Sequence, residues 1–148
     1  MASTFALGPC TLAVLAVLKN DMALAGIVST RIYPNSSGDV PQKLTYPYVQ
    51  VESVSEIPFN TLGPPSSAKW GSTATIQVRS VSRSRSEAQS QKLMDIVKQA
   101  LDGQPITVAG YGSAAVDYTR VTMLTDFEGG IVTREWLAEF DVMVHQGA

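Results

Sequence analysis

The stretch "STATIQVRSVSRSRSEAQSQKLMDIVKQALDG", Ser72–Gly103, decides the fold. Over its first ten residues Ala74, Ile76 and Val78 fall on one side of an extended chain. Thr73, Thr75, Gln77 and Arg79 fall on the other, the period-2 pattern of a half-buried strand. The period then changes. Leu93, Ile96, Val97, Ala100 and Leu101 recur at i, i+3, i+4, i+7 and i+8, one stripe of an amphipathic helix. Ser86 with Gln89 three residues on makes a capping-box pattern, and Ser84 is a second candidate cap. Asp102-Gly103 ends the helix, and Pro105 blocks its continuation.

The link between strand and helix, "SRSRS", brings Arg79, Arg83 and Arg85 within seven positions. Three readings stand: a capped turn with surface arginines, a protein contact made by Arg83 or Arg85, and a nucleic-acid contact. The chain carries a net charge of −2 and a pI near 5.3. A protein that lives on phosphate contacts carries a basic excess instead. No aromatic residue interleaves with these arginines as a single-strand platform requires. Composition thus weighs against nucleic acid.

Outward from this stretch, "YPYVQVESVSE" (Tyr46–Glu56) alternates, with Val49 and Val51 opposed to Gln50 and Glu52, and Pro47 limits its start. Toward the N-terminus, Pro9 suits the first position of a helix running to Lys19, with Leu12, Leu15, Ala16 and Leu18 on its buried side. Asn20 or Asp21 can cap a second short piece, "MALAGIV". "TRIYP" reads as a short strand, and "NSSGDVPQ" as a loop. Residues 57–70 are rich in Gly, Pro and Ser and read as a long loop, a length that in a compact domain points to function or disorder.

On the C-terminal side, Ala114–Thr125 and Ile131–His145 read as two long strands joined by a turn at "DFEGG", with "ITVAG" as a short lead-in. On the second strand Val132, Trp136, Ala138, Phe140, Val142 and Val144 share a face with Arg134. Thr133, Glu135, Leu137, Glu139 and Asp141 take the other. One sheet face covered by helices produces this alternation. The expectation is a single α+β domain over residues 1–148: a mainly antiparallel sheet of four to five strands, two helices on one face, order α-β-β-β-α-β-β.

The 148 residues are enough for a core without disulfides or metals. Cys10 is the lone cysteine, expected to be a buried helix residue. The apolar run Leu12–Leu18 is too short to cross a bilayer, and Gly8-Pro9 interrupts any signal-peptide pattern, so a soluble chain with no membrane partner is expected. At 16% charged residues, the chain is poor in charge and rich in Ser and Thr, which suits an assembled protein.

No catalytic constellation emerges. His145 is the single histidine, three residues from the end, and a lone histidine near a fraying end is a poor general base. "GYGSA" (Gly110–Ala114) contains Gly-x-Gly but lacks the third glycine and the following helix of a phosphate loop, and reads as a turn. Glu139 and Asp141 on one strand face stand about 7 Å apart. A metal or glycosidase site would need further ligands from elsewhere. Asp126 and Glu128 lack the alternating oxygen-ligand run of a calcium loop. No enzyme activity, cofactor or metal is expected.

Four segments in order carry a resemblance: "LAVLKNDMALAGIVSTRIYP", "YPYVQVES", "TIQVRSVSRSRSEAQSQKLMDIVKQALDG", and the paired strands around "DFEGG" with "REWLAEFDVMV" returning. Over about residues 7–145 the chain resembles the tail-completion, or tail terminator, proteins of long-tailed bacteriophages and related gene-transfer particles. The resemblance implies a structural virion protein, assembled in the host cytoplasm and carrying no catalytic residue. It forms a homo-oligomeric ring, typically six copies, at the head-proximal end of the tail tube. The ring stops tube polymerisation and meets the head's connector or stopper protein, and DNA passes through its bore without specific binding. A ring needs two different patches per subunit. Phe59, Leu62 and Trp70 in the long loop, with Arg83 and Arg85, are candidates for subunit or tube contacts. Among the acidic residues, Glu135, Glu139 and Asp141, or Glu52 and Glu56, are candidates for the bore. Another neck or head-completion ring, and a small α+β binding module, are the competing expectations.

Overall fold

The structure is a computed structural model that describes residues 5–34, 45–59, 71–83 and 87–145. Among these residues, three helices, α1 (Leu7–Lys19), α2 (Met22–Val28) and α3 (Glu87–Leu101), accompany six strands. The strands are β1 (Ile32–Pro34), β2 (Tyr48–Phe59), β3 (Gly71–Ser82), β4 (Pro105–Val108), β5 (Gly112–Glu128) and β6 (Ile131–His145). They form one sheet in the order β1-β2-β3-β6-β5-β4, antiparallel except for the β1–β2 pair. The α+β class is as expected. The counts differ: "ITVAG" is a strand in its own right, and "MALAGIV" is a third helix, capped by the Asp21 carboxylate accepting from the Leu24 N–H at 2.9 Å.

The faces of β3 and β6 follow the alternation. Ala74, Ile76 and Val78 pair directly with Val142, Phe140 and Ala138, and all six are buried under the helices. Leu93, Val97 and Leu101 of α3 fill the same core, joined by Met94, while Ile96 and Ala100 flank it. The α3 stop is Gly103 at φ 71, a left-handed conformation that favours glycine. Its predicted capping serines, Ser84 and Ser86, lie outside the described residues.

Helix α1 departs from expectation. It begins at Leu7, so Pro9 sits at the third helical position, still inside the first turn where its missing N–H costs little. The buried side is Cys10, Val14, Leu15 and Leu18, while Leu12 and Ala16 are exposed. A group far along the chain sets this start: the Glu56 carboxylate on β2 accepts from the N–H groups of Ala6 and Leu7, at 2.8 Å each. These are the orphan donors of a helix N-terminus, and a carboxylate there also meets the positive end of the helix dipole.

Two further corrections concern β2 and β5. β2 does not stop at Glu56 but runs through Pro58 to Phe59, paired with β3 as far as Gly71 and beyond the stretch that β1 covers. β5 runs through Asp126, Phe127 and Glu128, so the turn is only Gly129-Gly130, with φ 58 and 81. Two residues at positive φ match the twist of a hairpin, which a five-residue turn would not require. The β4–β5 turn is residues 109–111, so "GYGSA" straddles it: Gly110 and Gly112 hold φ 84 and 76, and Gly112–Ala114 already belong to β5.

Candidate functional site

Among the described residues, both ends of the sheet finish in short strands that leave longer neighbours bare. β1 covers β2 only along Val49–Val51. β4 covers β5 only along Gly112–Ala115. Beyond that, the Gly103 N–H donates to the Val116 carbonyl and the Tyr118 N–H donates to the Asp102 carboxylate, which extends cover to Tyr118. From Arg120 to Glu128 no described strand pairs with the outer edge of β5. Such edges invite pairing with another chain.

Each bare edge opens with a bulge. On β2 the register shifts between Ser53 and Ser55, and on β5 between Tyr118 and Arg120. An added residue reverses which face every later side chain takes. Glu52 is opposite Gln77 on the helix-free face, whereas Glu56, of the same parity, is opposite Ala74 under the helices. Of the five acidic candidates, Glu52, Glu135, Glu139 and Asp141 share the helix-free face, and Glu56 is instead committed to α1.

That face is acidic but internally matched. Arg79 on β3 lies between Glu52 at 3.4 Å and Glu135 at 4.0 Å. Arg120 holds Glu139 through two contacts, at 2.9 and 3.2 Å. The Thr75 hydroxyl donates to Asp141 at 2.8 Å. Among the described residues, no three of His, Cys, Asp and Glu gather as a metal site. His145 is an exposed strand-end residue.

Of the contact candidates, Leu62, Trp70 and Arg85 lie outside the described residues, and only the backbone of Phe59 is described. Arg83 is described and exposed. Its guanidinium lies 4.2 Å over the Tyr46 ring, and its Nε–H donates to the Thr133 hydroxyl at 3.3 Å. Tyr46 packs against Tyr48, and Tyr48 against Tyr33. Burial, then the neighbouring Tyr46, pushes the Tyr48 phenol above its ordinary pKa. Arginine over tyrosine accounts for part of the arginine run without nucleic acid.

The feature that sequence reading missed is the upper part of the β5–β6 hairpin. α3 starts beside Ser82 and Arg134, where Ser90 and Glu87 hold those two side chains, and ends beside Val116. It therefore crosses the sheet obliquely and leaves upper β5 uncovered. Val121, Met123 and Phe127 lie bare on the helix side, and Leu124 and Ile131 on the other. Phe127 is 72% exposed. The indole N–H of Trp136, cross-strand from Met123, is buried and has no hydrogen-bond partner among the described residues. The signal was the uncharged run Val121–Thr125 in a strand whose outer neighbour is only four residues long.

No described helix alone is long and apolar enough to cross a membrane; α1 and α2 reach that length only as a pair bent by 79°. Both instead contribute to the core.

Comparisons with known proteins agree with this architecture. A solved chain from the structure titled "Virion of native gene transfer agent (GTA) particle" is similar in fold, with a TM-score of 0.73 and 20% identity. The match covers 97% of this chain and 99% of that one. A second solved structure matches with a TM-score of 0.57 at 11% identity, over 94% and 96% of the two chains. No curated protein matches. The profile of the family described as tail completion protein gp17 matches residues 12–145, nearly the whole chain. The chain belongs to the tail completion protein gp17 family, and its role is that of a structural protein of a phage tail.

Proposed function

We propose that this chain closes into a ring, of six copies by the family resemblance, at the head-proximal end of a phage tail tube. There it ends tube polymerisation and joins the tail to the head connector or stopper, and DNA passes through the bore. The observation that carries the reading is the pair of edges that no described strand covers, Glu52–Phe59 of β2 and Arg120–Glu128 of β5, toward opposite ends of one sheet. Two different unsatisfied patches per subunit make a heterologous, head-to-tail contact, which closes into a ring when the rotation permits. Family membership supports the tail location, and the similar fold in a gene transfer agent virion is consistent with a particle component assembled in the host cytoplasm.

In this ring the helix-free face turns toward the bore. Glu52, Glu135, Glu139 and Asp141 give it a negative bias, while Arg79 and Arg120 are engaged by carboxylates rather than free for phosphate. A surface of that kind lets DNA slide without gripping it. Phe59, Leu62, Trp70, Arg83 and Arg85 are proposed contacts with the neighbouring copy or the tube.

Adding the purified protein to tail tubes and imaging them by negative stain tests the reading. Rings capping one end of each tube, with tube length uncontrolled when the protein is omitted, are expected. Protein found on isolated heads and never on tails would replace this reading with a head-completion ring. An absence of rings in both places would overturn it.

A further inference from the structure

The upper β5–β6 hairpin presents apolar side chains on both faces and a bare backbone edge along Arg120–Glu128. Only its tip, Asp126–Thr133, extends past β3 as a two-stranded ribbon, and such a ribbon is marginal without burial against something else. The run Val121–Thr125 is uncharged, of high β propensity and without a described strand on its outer side, a combination that leads to aggregation unless a partner covers it. At the tip, Phe127 projects between Asp126 and Glu128 in the chain.

Toward the opposite end of the sheet lies a groove of about 450 Å³ between the end of α1, α2 and β1, lined by Lys19, Ala25, Ser29, Thr30 and Ile32. Its lining is mainly apolar, with two hydroxyl residues and one cation. Its volume accepts a single aromatic ring. Its charge is opposite to that of the hairpin tip. The hairpin and the groove thus form two unlike, complementary patches toward the two ends of one sheet, as a head-to-tail contact between copies requires.

We propose that the β5–β6 hairpin tip of one copy seats in the α1–α2–β1 groove of the next, with Phe127 as the anchor and Asp126, on the opposite face of β5, adding long-range attraction to Lys19 at the groove. The occupant is a second copy of this chain. The inference rests on the ring reading above and assigns its interface to the hairpin rather than to the 57–70 loop. An apolar aromatic in a pocket, ringed by charge, is the usual form of an interface hot spot.

Cross-linking of the full chain assembled on tail tubes tests this. The double variant Phe127→Cys with Ala25→Cys places one thiol at each patch, both at exposed positions, while the native Cys10 is buried. A disulfide ladder on a non-reducing gel that ends at a closed ring is expected, with no cross-linked dimer from either single variant. Charge reversal gives a second measure. Asp126→Lys and Lys19→Glu should each lower ring occupancy at tube ends by roughly twofold to fivefold, and the combined swap should restore it.

Three outcomes overturn the inference while leaving the ring reading intact. The first is a set of normal rings in which the double variant never cross-links. The second is a Phe127→Cys dimer, which means tip-to-tip contact. The third is a Phe127→Cys cross-link to the tube protein. If wild-type protein forms no rings at tube ends, both readings fall.

Discussion

The Glu56 carboxylate accepts a hydrogen bond from the backbone N–H of Leu7 at 2.8 Å, across 49 residues of chain. The same oxygen accepts from Ala6 at 2.8 Å. A β2 side chain, delivered to the helix side by the bulge at Ser53–Ser55, therefore does the work of a helix cap.

Glu56→Ala should destabilise the fold by about 1–2 kcal/mol, the scale of losing an N-cap at a partly buried helix start. For a chain of this size that is a fall in Tm of about 2–4 °C per kcal/mol. Glu56→Gln keeps an acceptor and loses the charge, so its cost should be smaller. Thermal unfolding of both variants by circular dichroism measures the difference. Equal, negligible shifts would mean that α1 is held by packing alone.

Cys10 lies fully buried against the core, and desolvation, with a smaller contribution from Glu56, pushes its thiol up to about 11. The unfolded chain loses this proton first, near pH 9, so stability falls as pH rises from about 9 through about 11. The loss across that window is on the order of 2 kcal/mol. The stability of wild type minus that of Cys10→Ala, followed by urea titration from pH 7 to 11, isolates the effect from other groups. A difference that does not change with pH refutes it. The native thiol should also react with a disulfide reagent only as fast as the protein opens.

Gly130 holds φ 81 in a two-residue hairpin turn. Gly130→Val should cost about 2 kcal/mol, because a β-branched residue is strained there. Gly129→Asn should cost well under half of that, since asparagine tolerates left-handed backbone. Comparing the two melting temperatures checks the assignment of the turn to these two residues rather than to all of "DFEGG".

Arg79 stands between Glu52 and Glu135 on the helix-free face. Arg79→Met should destabilise by about 1 kcal/mol and leave two carboxylates near each other without their cation. Added salt should recover part of the loss by screening that repulsion. A variant whose deficit is the same at low and high salt would show that packing of the arginine stem, not charge, matters there.

How much could be read in advance varied with where the cause lay. The faces of β3 and β6 follow from period-2 alternation, because each side chain's burial depends on its own place in the pleat. The α3 stripe and its Asp102-Gly103 stop were legible for the same reason. The turn at Gly129-Gly130 was half legible: the glycines marked it, but nothing local prevented Asp126–Glu128 from extending the strand.

Local pattern accounts for the α+β class, the buried faces of β3 and β6, α3 and the length of β6. Each of these depends on local periodicity and on turn residues that act within a few positions. Only the tertiary structure decided where α1 begins, which face Glu56 takes, and that upper β5 is left bare. A bulge is one extra residue that costs little locally and reverses every side chain after it, so pairing with β3 or β6 must exist before it can be seen. The α1 cap needs β2 alongside it, and the bare hairpin needs the oblique path of α3 and the shortness of β4. Those are relations between distant segments, and no window of sequence contains both partners.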